Sequence, residues 1–139
     1  MSSFEYDSVG FDPPAPMIDV EISAPGSRGD QTVIRMLLDS GADMTCLPRS
    51  LVESLKSHRS GSIEVLGYTR RPRIRRTIYI DFRLAGKGIR DVEVLPVESE
   101  YGLLGRDIMN NFDIRLDGPR LSLSFLDGSR RRKSTRSSG

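Results

Sequence analysis

The sequence predicts an all-β, barrel-like domain with two brief helices, and three observations carry that expectation. Short apolar runs alternate with polar residues at period two, as in Met17-Ile18-Asp19-Val20-Glu21-Ile22 and in the set Ile78, Ile80, Phe82 and Leu84. Clusters of Gly, Pro, Ser and Asp separate these runs. Helical signals occur only after Pro48 and after Gly105. At 139 residues the chain reads as one domain, long enough to bury roughly two thirds of its unfolded surface.

In chain order, residues 1–16 end in Asp12-Pro13-Pro14-Ala15-Pro16, which reads as a flexible, extended arm. Residues 17–22 form the first half-buried strand, and the cluster at 24–30 turns the chain. Residues 32–38 are β-branched and apolar and run straight into Asp39. After Gly41-Ala42, residues 44–47 make a short strand. Pro48 suits a helix start, with Leu51, Val52 and Leu55 on one face. Residues 62–66 resume as a strand, and 67–77 read as an exposed turn with Pro72 near its middle. Strands over 74–84 and 89–97 flank the turn Ala85-Gly86-Lys87-Gly88. A short helix starts after Gly105, and strands at 113–116 and 121–126 surround Asp117-Gly118-Pro119. Residues 17–127 are the expected domain, and 128–139 a disordered basic tail.

Charge is unevenly placed. Residues 1–33 hold six acids and only Arg28, whereas residues 68–90 hold seven arginines and Lys87 against Asp81 alone. Neither the arginine-rich segment nor Arg130-Arg131-Arg132-Lys133 is interleaved with aromatic residues, which argues against nucleic acid as the partner. One cysteine excludes an internal disulfide, and no apolar run reaches membrane-span length. The acidic N-terminus lacks the apolar core of a signal peptide, so a cytoplasmic or nuclear location is expected, with no membrane.

The chemistry narrows by elimination. A single histidine, His58, excludes a multi-histidine metal site, and no metal or cofactor is expected. Cys46 lies in an apolar strand, where a lone cysteine is most often a small hydrophobe. Ser40 has no neighbouring base, and Gly86-Lys87-Gly88 opens no helix and cradles no phosphate. Asp39 remains. A carboxylate delivered by an apolar strand is costly to bury and calls for a reason.

The stretch Leu37-Leu38-Asp39-Ser40-Gly41-Ala42-Asp43, followed some sixty residues later by Leu103-Leu104-Gly105-Arg106-Asp107, resembles the retropepsin family of aspartic proteases. These are the retroviral, retrotransposon and related cellular enzymes, and the likeness spans residues 17–126. It implies a small closed β-barrel, one lobe per chain. Such enzymes need two carboxylates that share a proton and bracket one water. Two charges about 4 Å apart at an effective dielectric near 20 repel by about 4 kcal/mol, which keeps one of them protonated. This chain carries a single Asp-Ser-Gly, since Asp117-Gly118 and Asp127-Gly128 lack the hydroxyl residue. A homodimer would bring a second Asp39 opposite the first.

The resemblance assigns the roles. Asp39 is the catalytic carboxylate. Ser40 bonds across the dimer axis, while Gly41 and Ala42 admit close backbone approach and leave room for substrate. Asp43 pairs with Arg106, and Met44 and Cys46 line substrate pockets together with Gly41 and Asp43. Leu103, Leu104 and Gly105 pack beneath the loop. A flap over residues 63–79 contributes Gly67 and Tyr68 to substrate binding. Here the sequence departs from its relatives, because Gly67 is the flap's only glycine while Arg70, Arg71, Arg73, Arg75 and Arg76 crowd it. The expected function is a homodimeric aspartic endopeptidase acting on peptide or protein. The alternative is a non-catalytic dimerisation or protein-binding module of the same fold.

Overall fold

The computed structural model describes residues 2–27, 31–57, 59–66 and 71–126. His58, Gly67, Tyr68, Arg70 and the tail at 128–139 lie outside the described residues.

Ten strands and two helices follow one another: β1 (Ser2–Glu5), β2 (Met17–Ser23), β3 (Thr32–Leu38), β4 (Cys46–Pro48), α1 (Arg49–Leu55), β5 (Ser60–Leu66), β6 (Pro72–Leu84), β7 (Lys87–Val97), β8 (Gly102–Leu104), α2 (Arg106–Met109), β9 (Asp113–Asp117) and β10 (Ser122–Leu126). The larger sheet runs β2-β3-β8-β4-β7-β6-β5, and a further β2–β6 pairing returns it upon itself. Six strands therefore form a closed barrel, which leaves no free edge among them. Strand β5 lies outside the ring and, among the described residues, pairs only with β6. A second sheet, β1-β10-β9, covers one side.

Alternation builds the core. In β2 the side chains of Ile18, Val20 and Ile22 are buried while Asp19 is exposed, and in β3 Ile34, Met36 and Leu38 point inward. Ile80, Phe82 and Leu84 of β6 and Val94 of β7 join them, and Leu123 and Phe125 of β10 complete the cluster. The β6–β7 turn is two residues, Ala85 and Gly86, both at positive φ, which matches the twist of the strands on either side.

Three expectations are corrected. Residues 1–16 were expected as a flexible arm, yet β1 pairs in register with β10, from Ser2–Phe125 to Glu5–Ser122. Phe4 packs edge-on against Phe125, and Asp7 and Ala15 exchange backbone bonds. Apolar Phe4 and Tyr6 dock on the core, a gain that proline content alone does not reveal. The turn expected over 67–77 gives way at Pro72, where β6 begins. Proline is tolerated there because it starts the strand and stands at the ribbon's end, opposite Leu66. Strand β4 is also shorter than residues 44–47 implied: Met44 and Thr45 belong to the preceding loop, and Pro48 ends the strand before α1.

Candidate active site

Strand β3 delivers Asp39 to the rim of the barrel. Leu38 pairs with Leu104 of the parallel strand β8, and the next step of the ladder is Asp39 N–H donating to Leu104 O at 3.0 Å. The chain then turns: Ala42 N–H donates to Asp39 O at 3.1 Å, and Gly41 N–H donates to Asp39 Oδ1 at 3.0 Å. A Cβ on Gly41 would lie 3.2 Å from that same oxygen, so a side chain would crowd the carboxylate. Asp39 is half-buried, while Ser40 and Gly41 are exposed.

A second layer of bonds braces the turn from α2. Arg106 N–H donates to Ala42 O at 2.8 Å, and the Arg106 guanidinium donates through Nη1 to Ser40 O at 2.7 Å. The expected Asp43–Arg106 salt bridge is therefore corrected. Among the described residues no ion pair joins the two, and Arg106 spends its donor on the loop's backbone instead. Asp43 is exposed and faces the cleft.

The carboxylate that does tie the two motifs together is Asp107. It accepts from Thr45 N–H at 3.0 Å, from Thr45 Oγ1 at 2.6 Å and from Ile108 N–H at 2.9 Å. Thr45 is fully buried, and its hydroxyl oxygen also accepts from Gly105 N–H at 3.1 Å. Every polar atom of this knot has a partner, as burial demands. Gly105 is forced by contact: a Cβ there would stand 2.8 Å from the carbonyl carbon of Met44. Sequence reasoning gave Thr45 and Asp107 no role. Their signal was a hydroxyl residue interrupting an apolar stretch and an acid in the first turn of α2.

Above the loop opens a cleft of about 580 Å³, lined by Ala42, Asp43, Met44 and Cys46 below and by Ile63 and Val65 of β5 above. Met44 and Cys46, expected to line a substrate pocket, both border this cleft. Gly67 and Tyr68 lie outside the described residues. A shallower depression of about 420 Å³ continues past Asp43 and Met44 to Val92, Glu93 and Asp107. Burial, and then the nearby charges of Asp107, Asp39 and Asp43, push the Cys46 thiol pKa up; Arg75 opposes them. Cys46 is thus a neutral wall residue rather than a ready nucleophile.

A family model described as aspartyl protease matches residues 24–108, a span that contains both braced motifs. The chain belongs to the aspartyl protease family. Solved structures agree on the retropepsin-like fold. The EIAV protease in complex with the inhibitor HBY-793 is 23% identical, with a TM-score of 0.52 over 70% of this chain and 86% of that one. The foamy viral protease-reverse transcriptase in complex with an RNA/DNA hybrid is 16% identical, with a TM-score of 0.54 over 71% of this chain. This protease-family chain corresponds to only 12% of that longer polypeptide. A search of curated proteins found no match. No helix among the described residues is long and apolar enough to cross a membrane.

Proposed function

We propose that the protein is a homodimeric aspartic endopeptidase whose active site forms when two copies bring their Asp39 carboxylates together. One observation carries this reading: half-buried Asp39 sits on the same turn that sends Ala42 and Asp43 to an open cleft, a turn anchored at Leu104, Ala42 and Arg106, and the chain supplies one such aspartate. A single carboxylate cannot both take a proton from water and give one to the scissile carbonyl. In the dimer one Asp39 is ionised and accepts the water's proton. The other is protonated and donates to the carbonyl oxygen. In this dimer Ser40, which is exposed at the turn, would bond across the two-fold axis.

The terminal sheet supports assembly. Strands β1 and β9 are its edges, and β9 carries Leu116, 54% exposed, on the face its neighbours bury. An edge of this kind can pair with a copy of itself.

Asp39→Asn is expected to lower peptide cleavage by at least about a thousandfold, measured on an unbiased peptide mixture between mildly acidic and neutral pH. Cleavage per subunit by the unsubstituted protein is expected to fall on dilution through the dimer's dissociation constant. An unsubstituted dimer that cleaves nothing would favour the other reading, a binding module of the same fold. The arginine-rich hairpin over the cleft is the feature that favours that second reading.

A further inference from the structure

We propose that Arg73 and Arg75 make the hairpin side of the cleft a subsite for an acidic side chain of the bound peptide. This rests on the protease reading and names the substrate class for the same site. Register places both side chains. Arg75 pairs directly with Ile63 and Arg73 with Val65. Opposed residues of an antiparallel pair project to one face. Of the four β5 residues at the cleft, Ile63 and Val65 are half-buried while Glu64 and Leu66 are exposed, so the ribbon's inner face carries Ile63, Val65 and, by register, both arginines, whereas Ile74 and Arg76 leave on the other.

Arg75 is also anchored there. It is half-buried, and its Nη2 donates to Pro96 O at 3.0 Å, one residue past Leu95 in the cleft wall. Its charge is felt at Cys46, on the opposite wall. A guanidinium has five N–H donors in a planar fork that fits a carboxylate, and Pro96 takes one of them. Met44, Val65 and Leu95 offer apolar surface to the methylenes of a glutamate.

Charge is thereby divided along the cleft. At its other end stand Asp43, Glu93 and Asp107; Asp107 is held by Thr45, and Glu93 accepts from Thr77 Oγ1 at 2.6 Å. Glu64 also borders the cleft, but it pairs with Ile74 on the hairpin's outer face. An acidic side chain is repelled near Asp43 and welcomed near Arg73 and Arg75. The two-fold axis repeats this separation in the other half of the cleft, so it sets which flanking positions take an acidic side chain.

The test uses peptides that share an apolar centre and differ only by Glu or Gln at one flanking position. Cleavage by the full chain is read as kcat/KM, and binding to the Asp39→Asn protein is read by fluorescence anisotropy. At one position Glu is expected to be favoured over Gln by roughly tenfold, an advantage that shrinks as salt is raised. Arg73→Gln with Arg75→Gln is expected to bring the ratio near one, and Arg75→Glu to transfer the preference to a Lys peptide. Arg75→Lys, which retains charge but not the fork, should keep part of the preference and guards against a loss caused by misfolding. Glu preference in binding without any cleavage would uphold the subsite and overturn the protease reading. Cleavage with no Glu preference would overturn the subsite alone, and neither binding nor cleavage would overturn both.

Discussion

Between β3 and β4 the chain leaves the sheet and yet is bonded at nearly every step, to Leu104, Ala42, Arg106 and Asp107. Across the cleft, among the described residues, residues 72–77 of β6 ladder only with β5, and β5 with no other strand. The Asp39 loop is irregular but fixed; the hairpin is regular but supported from one side. Regular secondary structure is therefore a poor guide to rigidity in this molecule. What fixes a segment is the number of independent elements that hold it, and two-stranded ribbons are marginal by themselves. A site that must hold one carboxylate still while admitting a peptide calls for both kinds of wall.

The comparison can be broken most severely at Gly105. Gly105→Ala drives a methyl group into the Met44 backbone, and a loss of about 3 kcal/mol in urea-unfolding stability is expected, with the Asp39 loop displaced. Thr45→Val keeps the shape of the buried side chain but strips a bond from Asp107 and an acceptor from Gly105 N–H. It should cost about 2 kcal/mol by the same measurement. On the hairpin, Leu66 and Ile74 are 71% and 79% exposed, with Leu66 at the border of the cleft. Leu66→Ser and Ile74→Ser should each shift stability by no more than about 0.5 kcal/mol. A larger loss would mean that these two side chains hold the hairpin beyond its ladder and the bonds of Arg75 to Pro96 and Thr77 to Glu93. The smallest effect lies where the two walls meet. Because burial raises the Cys46 pKa, its labelling by a thiol reagent should keep accelerating with pH after a free thiol has reached its plateau. Bound peptide should slow that labelling at every pH.

How much was legible beforehand follows the same division. Period-two patterning located the barrel strands because alternation reports burial directly, and β2, β3 and β6 each bury one face. The paired motifs brought Asp39 and Arg106 to one place. The bond that joins them was misassigned, because Asp43 and Asp107 are both acids within reach of polar partners in sequence, and only the fold decides which faces Thr45. The inward face of the hairpin was also hidden. An arginine-rich segment reads as a solvated turn until register sets Arg75 opposite Ile63 and Arg73 opposite Val65. Strand β1 was missed for a related reason: four residues with one apolar side chain carry little pattern, and Phe4 gains its partner from the far end of the chain.

Strand β6 belongs to both walls at once. Its residues 78–84 are laddered to β7, and Asp81 to Arg83 also to β2, while 72–77 extend beyond the ring. At the junction Arg59 pairs with Asp91 and lies 4.8 Å over the Tyr79 ring, and the Tyr79 N–H is taken by Arg59 O. One continuous strand should therefore run on two clocks. Amide protons of the outer half should be lost to heavy water whenever the ribbon opens, while those of the inner half wait for the barrel itself to come apart. Lifting the covering of this cleft at Tyr79 would leave the barrel's backbone ladder intact and cost only the side-chain bonds of Arg75 to Pro96 and Thr77 to Glu93.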